Sequence, residues 1–403
     1  MSASAPSILA SRAARVTLMM SCLYGTTGVI LTFLPRWLSG ERGLNGAEIG
    51  ALLALAQCSR IVVGPAIAFW ADGAADRRGP MRTLAMAAVA SYAAFFFLAH
   101  NFISLLLLGF GALSMTQAVT PLVEGALLRA TALGRLSYGV GRGIGSVAFI
   151  IANVGSGLVV SRFGLNAVVV WVLCGLTATA LSSLFALERD APQLHAHAFT
   201  RAARAEATQA LLRNRRYVRL IIACGLIQGA HAFYYGFSTL VWRSQGLPDG
   251  LIGVLWGFGV AFEVAFLWTL PFFERRISPE MLIMVGAAGG VVRWVLLGIA
   301  PAGPWLWPLQ ALHALSFAAA HIGAMRLLYR EAPENAAAMA QTLYATLSSG
   351  VILGVSTLLS GFLFDHVGAL GYWAMALEAA IGALVALGLF TRRADPMPQA
   401  TSS

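Results

Sequence analysis

Long apolar stretches alternate with short polar segments along the whole chain of 403 residues. An α-helix needs about 20 apolar residues to cross the hydrocarbon core of a bilayer, and each stretch is close to that length or longer. Helices satisfy their own backbone hydrogen bonds in lipid, so each stretch is predicted to be a transmembrane helix. The predicted spans are residues 15–38, 46–70, 82–99, 102–128, 138–161, 165–187, 217–242, 248–273, 280–300, 304–329, 337–364 and 368–391.

The composition supports a lipid environment for these helices. Hydrophobic residues make up 58% of the chain, charged residues only 11%, and the mean hydropathy is +0.75. Soluble domains carry about 25% charged residues, so this chain has too little polar surface to cover a globule in water. The sequence therefore predicts an all-α integral membrane protein with twelve transmembrane helices.

The positive charges indicate how the helices are oriented. All 27 cationic side chains are arginines, and the formal net charge is +10. With the N-terminus in the cytoplasm, twenty arginines fall in cytoplasmic segments and four in segments on the other side. Cytoplasmic loops are enriched in such residues, so both termini are predicted to be cytoplasmic, in a multi-pass protein of the inner membrane. A basic chain can also indicate nucleic-acid binding, but arginines beside apolar runs favour the bilayer as the partner.

Missing residue types and motifs exclude several classes of function. The chain has no lysine, which excludes an ordinary P-loop ATPase and a Schiff-base enzyme. Its four cysteines stand singly within apolar runs and form no redox or metal-binding motif. Zinc-protease and nucleophile-elbow motifs are also absent from the sequence. We therefore predict a protein that is not an enzyme and uses no cofactor or metal.

The two halves of the chain repeat each other faintly. The Gly-Leu and Ile-Gly pairs of residues 43–50 recur in residues 246–253, and the Gly-bounded segment 157–164 recurs as 361–368. Nearly equal offsets predict a duplicated unit, with two pseudo-symmetric six-helix bundles in the same orientation. The predicted division is an N-terminal bundle in 1–187, a cytoplasmic connector in 188–216, a C-terminal bundle in 217–393 and a disordered tail in 394–403.

The turn after the second predicted span is rich in charge. It carries Asp72, Asp76, Arg77, Arg78 and Arg82. With the six-plus-six layout and a basic middle loop, this turn resembles the major facilitator superfamily (MFS), although the usual leading Gly-x-Leu-Ala is absent. The resemblance implies the MFS fold and a transporter that works by alternating access. We interpret the turn as a conformational latch, with a plain topogenic loop as the alternative.

Three further stretches resemble a narrower branch of this superfamily. Residues 35–60 hold Pro-Arg-Trp-Leu, Gly-Leu, Ile-Gly and a final Arg, and residues 138–149 hold a Gly-rich run around an Arg. Residues 310–321 contain two histidines separated by a Phe. These stretches resemble phenylpropionate permeases, which belong with nucleoside and galactoside proton symporters. The resemblance implies a small-molecule substrate and coupling to protons.

Ionisable residues inside the predicted spans are candidates for function, because charge in hydrocarbon is costly. Glu124 lies late in span four and Arg142 early in span five, so a short turn should place both at similar depth. Pairing would lower the cost of burying them. Galactoside permeases hold their substrate with a Glu and an Arg at matching places, so the resemblance implies substrate binding here. A structural salt bridge is the alternative.

Arg60 and Glu263 occupy equivalent places in the two halves, in spans two and eight. They are expected either to meet across a central cavity or to pair separately with local partners. Arg293, in span nine, is a third buried cation, expected to pair with Glu263 or Glu378.

Histidines and aromatic residues complete the candidate site. His313 and His321 share one broad face of span ten with Gln310 and Phe317, and histidine titrates near neutral pH. The side chains assigned to substrate binding are Glu124, Arg142, Arg60, Tyr24, Gln117, His231, Tyr235, Gln310 and Phe317. The side chains assigned to proton coupling are Glu263, His313 and His321.

These observations predict a secondary active transporter that takes up a small organic solute together with protons. Intramembrane arginines and the resemblance favour an aromatic carboxylate, while intramembrane glutamates leave a sugar or a nucleoside open. A multidrug or metabolite exporter of the same fold is a further alternative, although the Gly-rich run 139–145 lacks the Pro typical of exporters. A monomer in the bilayer is expected.

Overall fold

A computed structural model of the chain describes residues 12–74, 76–134, 136–187, 201–273, 275–332 and 337–390, and every regular element in these segments is helical. The first six helices are α1 (Arg12–Arg42), α2 (Gly46–Gly73), α3 (Arg78–Leu98), α4 (Phe102–Ala132), α5 (Tyr138–Phe163) and α6 (Ala167–Ala186). The later helices are α7 (Arg201–Arg213), α8 (Arg215–Gly229), α9 (Ala232–Ser244), α10 (Asp249–Phe273), α11 (Pro279–Gly298), α12 (Leu306–Ala311), α13 (Ala320–Glu331), α14 (Ala337–Tyr344), α15 (Leu353–Val367) and α16 (Gly371–Leu387). Two π-helical segments, Ala314–Ala319 and Ala345–Ile352, join α12 to α13 and α14 to α15.

The helices agree with the predicted spans. In the described residues, eleven helical stretches are long and apolar enough to cross a membrane. The last stretch, Met339–Leu387, contains two predicted spans, which separate at Gly368, where φ is +56°. The prediction of an α-helical membrane protein is confirmed. The polar connector also contains α7, a helix that was not predicted, whereas residues 188–200 and the predicted tail lie outside the described residues.

Local capping chemistry places the starts of several helices. Asn45 accepts a hydrogen bond from the backbone N–H of Glu48, whose side chain accepts one from the Asn45 backbone in return. Asn101 and Ser104 form the same reciprocal arrangement at the start of α4. Such caps satisfy orphan N–H groups at a helix start, which allows the short turns between spans.

Bulky apolar side chains face outward on many helices. Phe272 is 84% exposed and Phe163 is 72% exposed, while the core buries rings such as Trp37, Phe95 and Phe96. Water would penalise this much exposed apolar surface, whereas lipid does not. The outward faces are therefore suited to acyl chains.

Helices α1–α6 pack among themselves, and so do α8–α16, with close contacts between the two groups along α5 with α10 and α2 with α15. The α2–α15 contact is close: a Cβ atom added to Gly50 would lie only 2.9 Å from the Cα of Gly361. Asp365 then accepts hydrogen bonds from the backbone N–H groups of Gly46 and Ala47, at 2.6 and 2.7 Å. These contacts lie at the helix ends remote from the Arg-rich loops. Contacts between the groups continue along α2, where a Cβ added to Gly350 would lie 3.6 Å from the Cβ of Arg60, whereas a Cβ added to Gly64, one turn further on, would meet nothing within 4 Å.

Candidate functional site

Tyr24, Glu124 and Arg142 form one polar cluster between α1, α4 and α5. The Arg142 Nη1 atom lies 3.0 Å from Glu124 Oε1, as the predicted pairing requires. The Tyr24 hydroxyl donates a 2.5 Å hydrogen bond to the same carboxylate oxygen, and the Arg142 guanidinium lies 4.6 Å from the centre of the Tyr24 ring. The side chains of Arg142 and Glu124 remain 40% and 35% exposed. The pair is therefore oriented by protein contacts and only partly buried.

Gly145 lies where α5 packs against α1. A Cβ added to Gly145 would be in ordinary van der Waals contact with Met20 and Tyr24, at 3.4 and 3.6 Å. Small residues let transmembrane helices approach closely. A small residue here is therefore compatible with the close packing that brings Arg142 of α5 over the Tyr24 ring of α1.

A second cluster surrounds Arg293, which is fully buried on α11. Its guanidinium donates to Gln310 Oε1 at 3.0 Å and lies 3.0 Å from His313 Nδ1. The rings of Tyr234 and Trp294 lie 4.4 and 4.7 Å from the guanidinium carbon. The expectation that Arg293 pairs with a glutamate is wrong, because neutral acceptors and aromatic faces stabilise its charge instead.

Glu263 is connected to this cluster through His313. An arginine only donates hydrogen bonds, so His313 Nδ1 must accept from Arg293, which places the imidazole proton on Nε2. That Nε2 atom lies 3.5 Å from Glu263 Oε2. Glu263 also interacts electrostatically with Arg142 and His321. A carboxylate on α10 therefore faces groups from both clusters.

The predicted polar face of span ten is present. The His313 and Phe317 rings stack at 5.3 Å, and the Phe317 and His321 rings stack at 5.8 Å. The π-helical segment Ala314–Ala319 lies between the histidines, and such widened turns are frequent at functional sites.

The seventh predicted span is broken between α8 and α9, at Ala230 and His231. His231 Nε2 lies 3.3 Å from Ser316 Oγ, and its ring stacks on Tyr235. Both His231 and Gln310 are fully buried and bonded to protein groups, so neither faces open space in this conformation.

A cavity of about 200 Å³ lies between α1, α2, α4, α9 and α15. Arg60, Gln117 and Tyr235 line it, and Gln117 Nε2 donates to the Ala56 carbonyl at 3.1 Å. Arg60 and Glu263 form no ion pair with each other, and the carboxylate of Glu263 lies beside His313 instead. The expected ion pair between Arg60 and Glu263 across a central cavity is therefore not observed.

Glu378 also has a local partner. Ser356 donates a 2.6 Å hydrogen bond to its carboxylate, and no arginine or histidine of the described residues forms an ion pair with it. This leaves Glu378 separate from both clusters.

The predicted latch turn forms contacts at the ends of α2, α3 and α6. Asp76 pairs with Arg78 at 2.6 Å, and Arg82 donates to the Leu184 carbonyl at 2.7 Å. Arg77 is the N-cap residue of α3. The side chain of Asp72 lies outside the described residues, and the latch role stays a prediction.

Tyr234 and Trp294, which contact Arg293, are not among the residues predicted from the sequence. The sequence gives a hint of both contacts. Tyr234 is next to the candidate Tyr235, and Trp294 is next to the intramembrane Arg293. Within the segments that the structure describes, no group of three or more His, Cys, Asp or Glu side chains is placed to hold a metal ion.

Comparisons with known proteins agree with this architecture. A probable 3-phenylpropionic acid transporter of Escherichia coli (strain K12) is 30% identical over 354 residues, which cover 87% of this chain and 91% of that protein. A maltose permease of Geobacillus stearothermophilus is 27% identical over 380 residues, covering 91% of each chain.

Solved structures share the fold. A mutant of the nucleoside transporter NupG superposes with a TM-score of 0.82 at 16% identity, covering 94% of this chain and all of that one. A bacterial homologue of the human lysosomal transporter Spinster, in an inward-facing conformation, superposes with a TM-score of 0.71 at 14% identity, over 94% of this chain and 96% of that one. The model of the MFS_1 like family matches residues 15–375. The chain therefore belongs to the MFS_1 like family of membrane transporters.

Proposed function

We propose that this MFS transporter couples the entry of protons to the uptake of a small organic solute. The observation that carries the proposal is the position of two ionisable pairs, each with one member on the contacting helices α5 and α10: Arg142 on α5 pairs with Glu124, and Glu263 on α10 lies beside His313. The Glu124–Arg142 pair is accessible, and the side chain of Glu263 is 21% exposed beside His313. Charges that face open space between helices are the groups expected along a substrate and proton path.

In this proposal, residues 1–187 and 217–393 act as two six-helix bundles, joined by the connector 188–216, with both termini in the cytoplasm. The internal repeat and the bias of arginines to one side support this arrangement. The helix groups are in close contact at the ends remote from the Arg-rich loops, as expected of a conformation open to the cytoplasm. In the proposal, the transporter is a monomer in the inner membrane.

Glu263 is the proposed proton acceptor. As a carboxylate it attracts Arg142 in the first group of helices and faces His313 in its own. Protonation would remove its charge, weaken these attractions and allow the groups to move relative to each other. The histidines 313 and 321 and the latch turn would transmit or limit this change.

An aromatic carboxylate is the proposed substrate class, and the E. coli relative is named as a probable phenylpropionate transporter. The name of the maltose permease supports a sugar as the second candidate. Tyr24, Glu124 and Arg142 offer donors and acceptors to either kind of solute.

Purified protein in liposomes tests the proposal. An inward proton gradient should drive accumulation of labelled 3-phenylpropionate, and a protonophore should abolish it. Glu263→Gln should lose accumulation but keep exchange of internal for external substrate. Glu378→Gln removes a membrane carboxylate outside the proposed path and should behave as wild type. Accumulation that survives the protonophore would contradict proton coupling.

A further inference from the structure

Two helix crossings join the first group, α1–α6, to the second group, α8–α16, at the ends remote from the Arg-rich loops. A Cβ on Gly50 of α2 would lie 2.9 Å from the Cα of Gly361 in α15, and a Cβ on Gly157 of α5 would lie 3.2 Å from the Cα of Gly253 in α10. In the internal repeat, Gly50 corresponds to Gly253 and Gly157 corresponds to Gly361. The two crossings are therefore equivalent in position, and together they form the outer closure of the molecule.

At the α2–α15 crossing, a carboxylate of the second group binds the start of a helix in the first. Asp365 of α15 accepts the backbone N–H groups of Gly46 and Ala47, while Asn45 accepts that of Glu48. The first N–H groups of a helix have no partner within it and carry partial positive charge, so a carboxylate stabilises them. Part of the cap of α2 is thus supplied by the other group, and it is lost when the groups separate.

The α5–α10 crossing reaches the same result with different residues. Ser161 of α5, which corresponds to Asp365, bonds within its own helix. Asp249, the first residue of α10, instead forms an ion pair with Arg36 of α1. The side chains of Arg36 and Asp249 are only 13% and 9% exposed, and removal of one partner from such a pair leaves a costly uncompensated charge. Here too, a carboxylate of the second group holds a positive group of the first.

A third charge makes the α5–α10 crossing depend on Asp249. Arg36 also interacts electrostatically with Arg243, in the last turn of α9 and hence in the second group. Like charges repel, so the interaction of these two arginines favours separation of the groups, and the carboxylate of Asp249 offsets it. Neutralising Asp249 alone therefore replaces an attraction between the groups by a repulsion.

We propose that Asp249 and Asp365 are the gating residues of the outer closure. Their carboxylates hold Arg36 and the N-terminus of α2, and both contacts have to break before the outer ends of the groups separate. This inference rests on the alternating access of the proposed function and identifies the side chains that keep one side closed. Because both contacts join the same two groups of helices, loss of either one lowers the cost of opening at both crossings.

Hydrogen exchange of the purified protein in detergent, followed by mass spectrometry, tests the gate without substrate or a proton gradient. Backbone N–H exchange in residues 46–53 of α2 and 249–256 of α10 reports opening at the two crossings. Asp249→Asn should speed exchange by at least about tenfold in α10 and also in α2, which the substitution does not touch. Asp365→Ala removes a helix cap at an exposed position and should speed exchange by about fivefold in both segments.

Two further variants serve as controls. Glu41 is a carboxylate at the same ends of the helices, but it accepts a 3.1 Å hydrogen bond from Asn166 in its own group, so Glu41→Gln should leave exchange in both segments unchanged. Adding Arg36→Gln to Asp249→Asn removes the repulsion with Arg243 and should return exchange to within about threefold of wild type. Helix ends beside the Arg-rich loops should exchange no faster than in wild type in any variant.

Three outcomes would overturn the gate. One is faster exchange only at the crossing that carries the substitution, which would make each contact a local support of its own helix. Another is unchanged exchange at both crossings. The third is faster exchange throughout the protein, including the Arg-rich ends, which would show a general loss of stability. Failure of the proposed transport function is distinct, because it appears only in liposomes as uptake independent of the proton gradient.

Discussion

The arginines of the two polar clusters differ in exposure and in the kind of partner they contact. In the first, Arg142 is paired with a carboxylate and 40% of its side chain is exposed. In the second, Arg293 is fully buried, and its contacts are neutral acceptors and aromatic rings. An accessible ion pair can exchange its partner for a solute at modest cost, whereas a buried cation within a completed network cannot. The difference supports the proposal that the first cluster binds the solute, and it predicts that the second contributes more to stability.

The largest expected effect comes from removing the buried cation. Arg293→Ala deletes the donor to Gln310 and His313 and leaves a cavity between two aromatic rings. We expect the free energy of unfolding to fall by about 3 kcal/mol. Arg142→Ala removes a half-exposed pair and should cost less than about 1 kcal/mol. Thermal and denaturant unfolding in the same detergent measure both values.

Comparing the loss of stability in Arg293→Ala with that in Arg142→Ala tests whether the two clusters contribute differently to stability. Equal losses of stability would show that the first cluster is as structural as the second. Arg293→Lys keeps the charge but loses the planar fork, and it should fall between wild type and Arg293→Ala.

A smaller effect is expected at Tyr24. Tyr24→Phe removes the hydrogen bond to Glu124 but keeps the ring under Arg142, so the pair persists with less precise orientation. Loss of one hydrogen bond to a charged group costs about 1.5 kcal/mol, which corresponds to an increase of about tenfold in the KM for uptake. Initial rates in liposomes measure the change. Tyr329→Phe, at an exposed position, should leave KM unaltered, and the interpretation fails if Tyr24→Phe does the same.

The same difference between clusters explains what sequence alone could predict. Glu124 and Arg142 lie on consecutive helices joined by a short turn, so their depth, and hence their pairing, follows from position along the chain. The partners of Arg293 lie on α9, on α12 and at His313, two residues beyond the end of α12, and which of them meet depends on tertiary packing. The break at His231 lies within a predicted span, where Gln228 and Gly229 precede it but no proline marks it. The helices themselves were predictable because lipid forces long apolar runs to become helical.

The smallest effect is expected at His313, and it tests the second cluster most finely. Because Arg293 donates to Nδ1, the imidazole serves as a neutral bridge, with its other nitrogen towards Glu263. A glutamine amide also accepts on one atom and donates on another, so His313→Gln should change proton-driven accumulation by less than about threefold. His313→Leu removes both functions and should impair transport more. Should His313→Gln abolish accumulation as completely as Glu263→Gln, the imidazole itself carries the proton, and the second cluster is part of the coupling path rather than its rigid support.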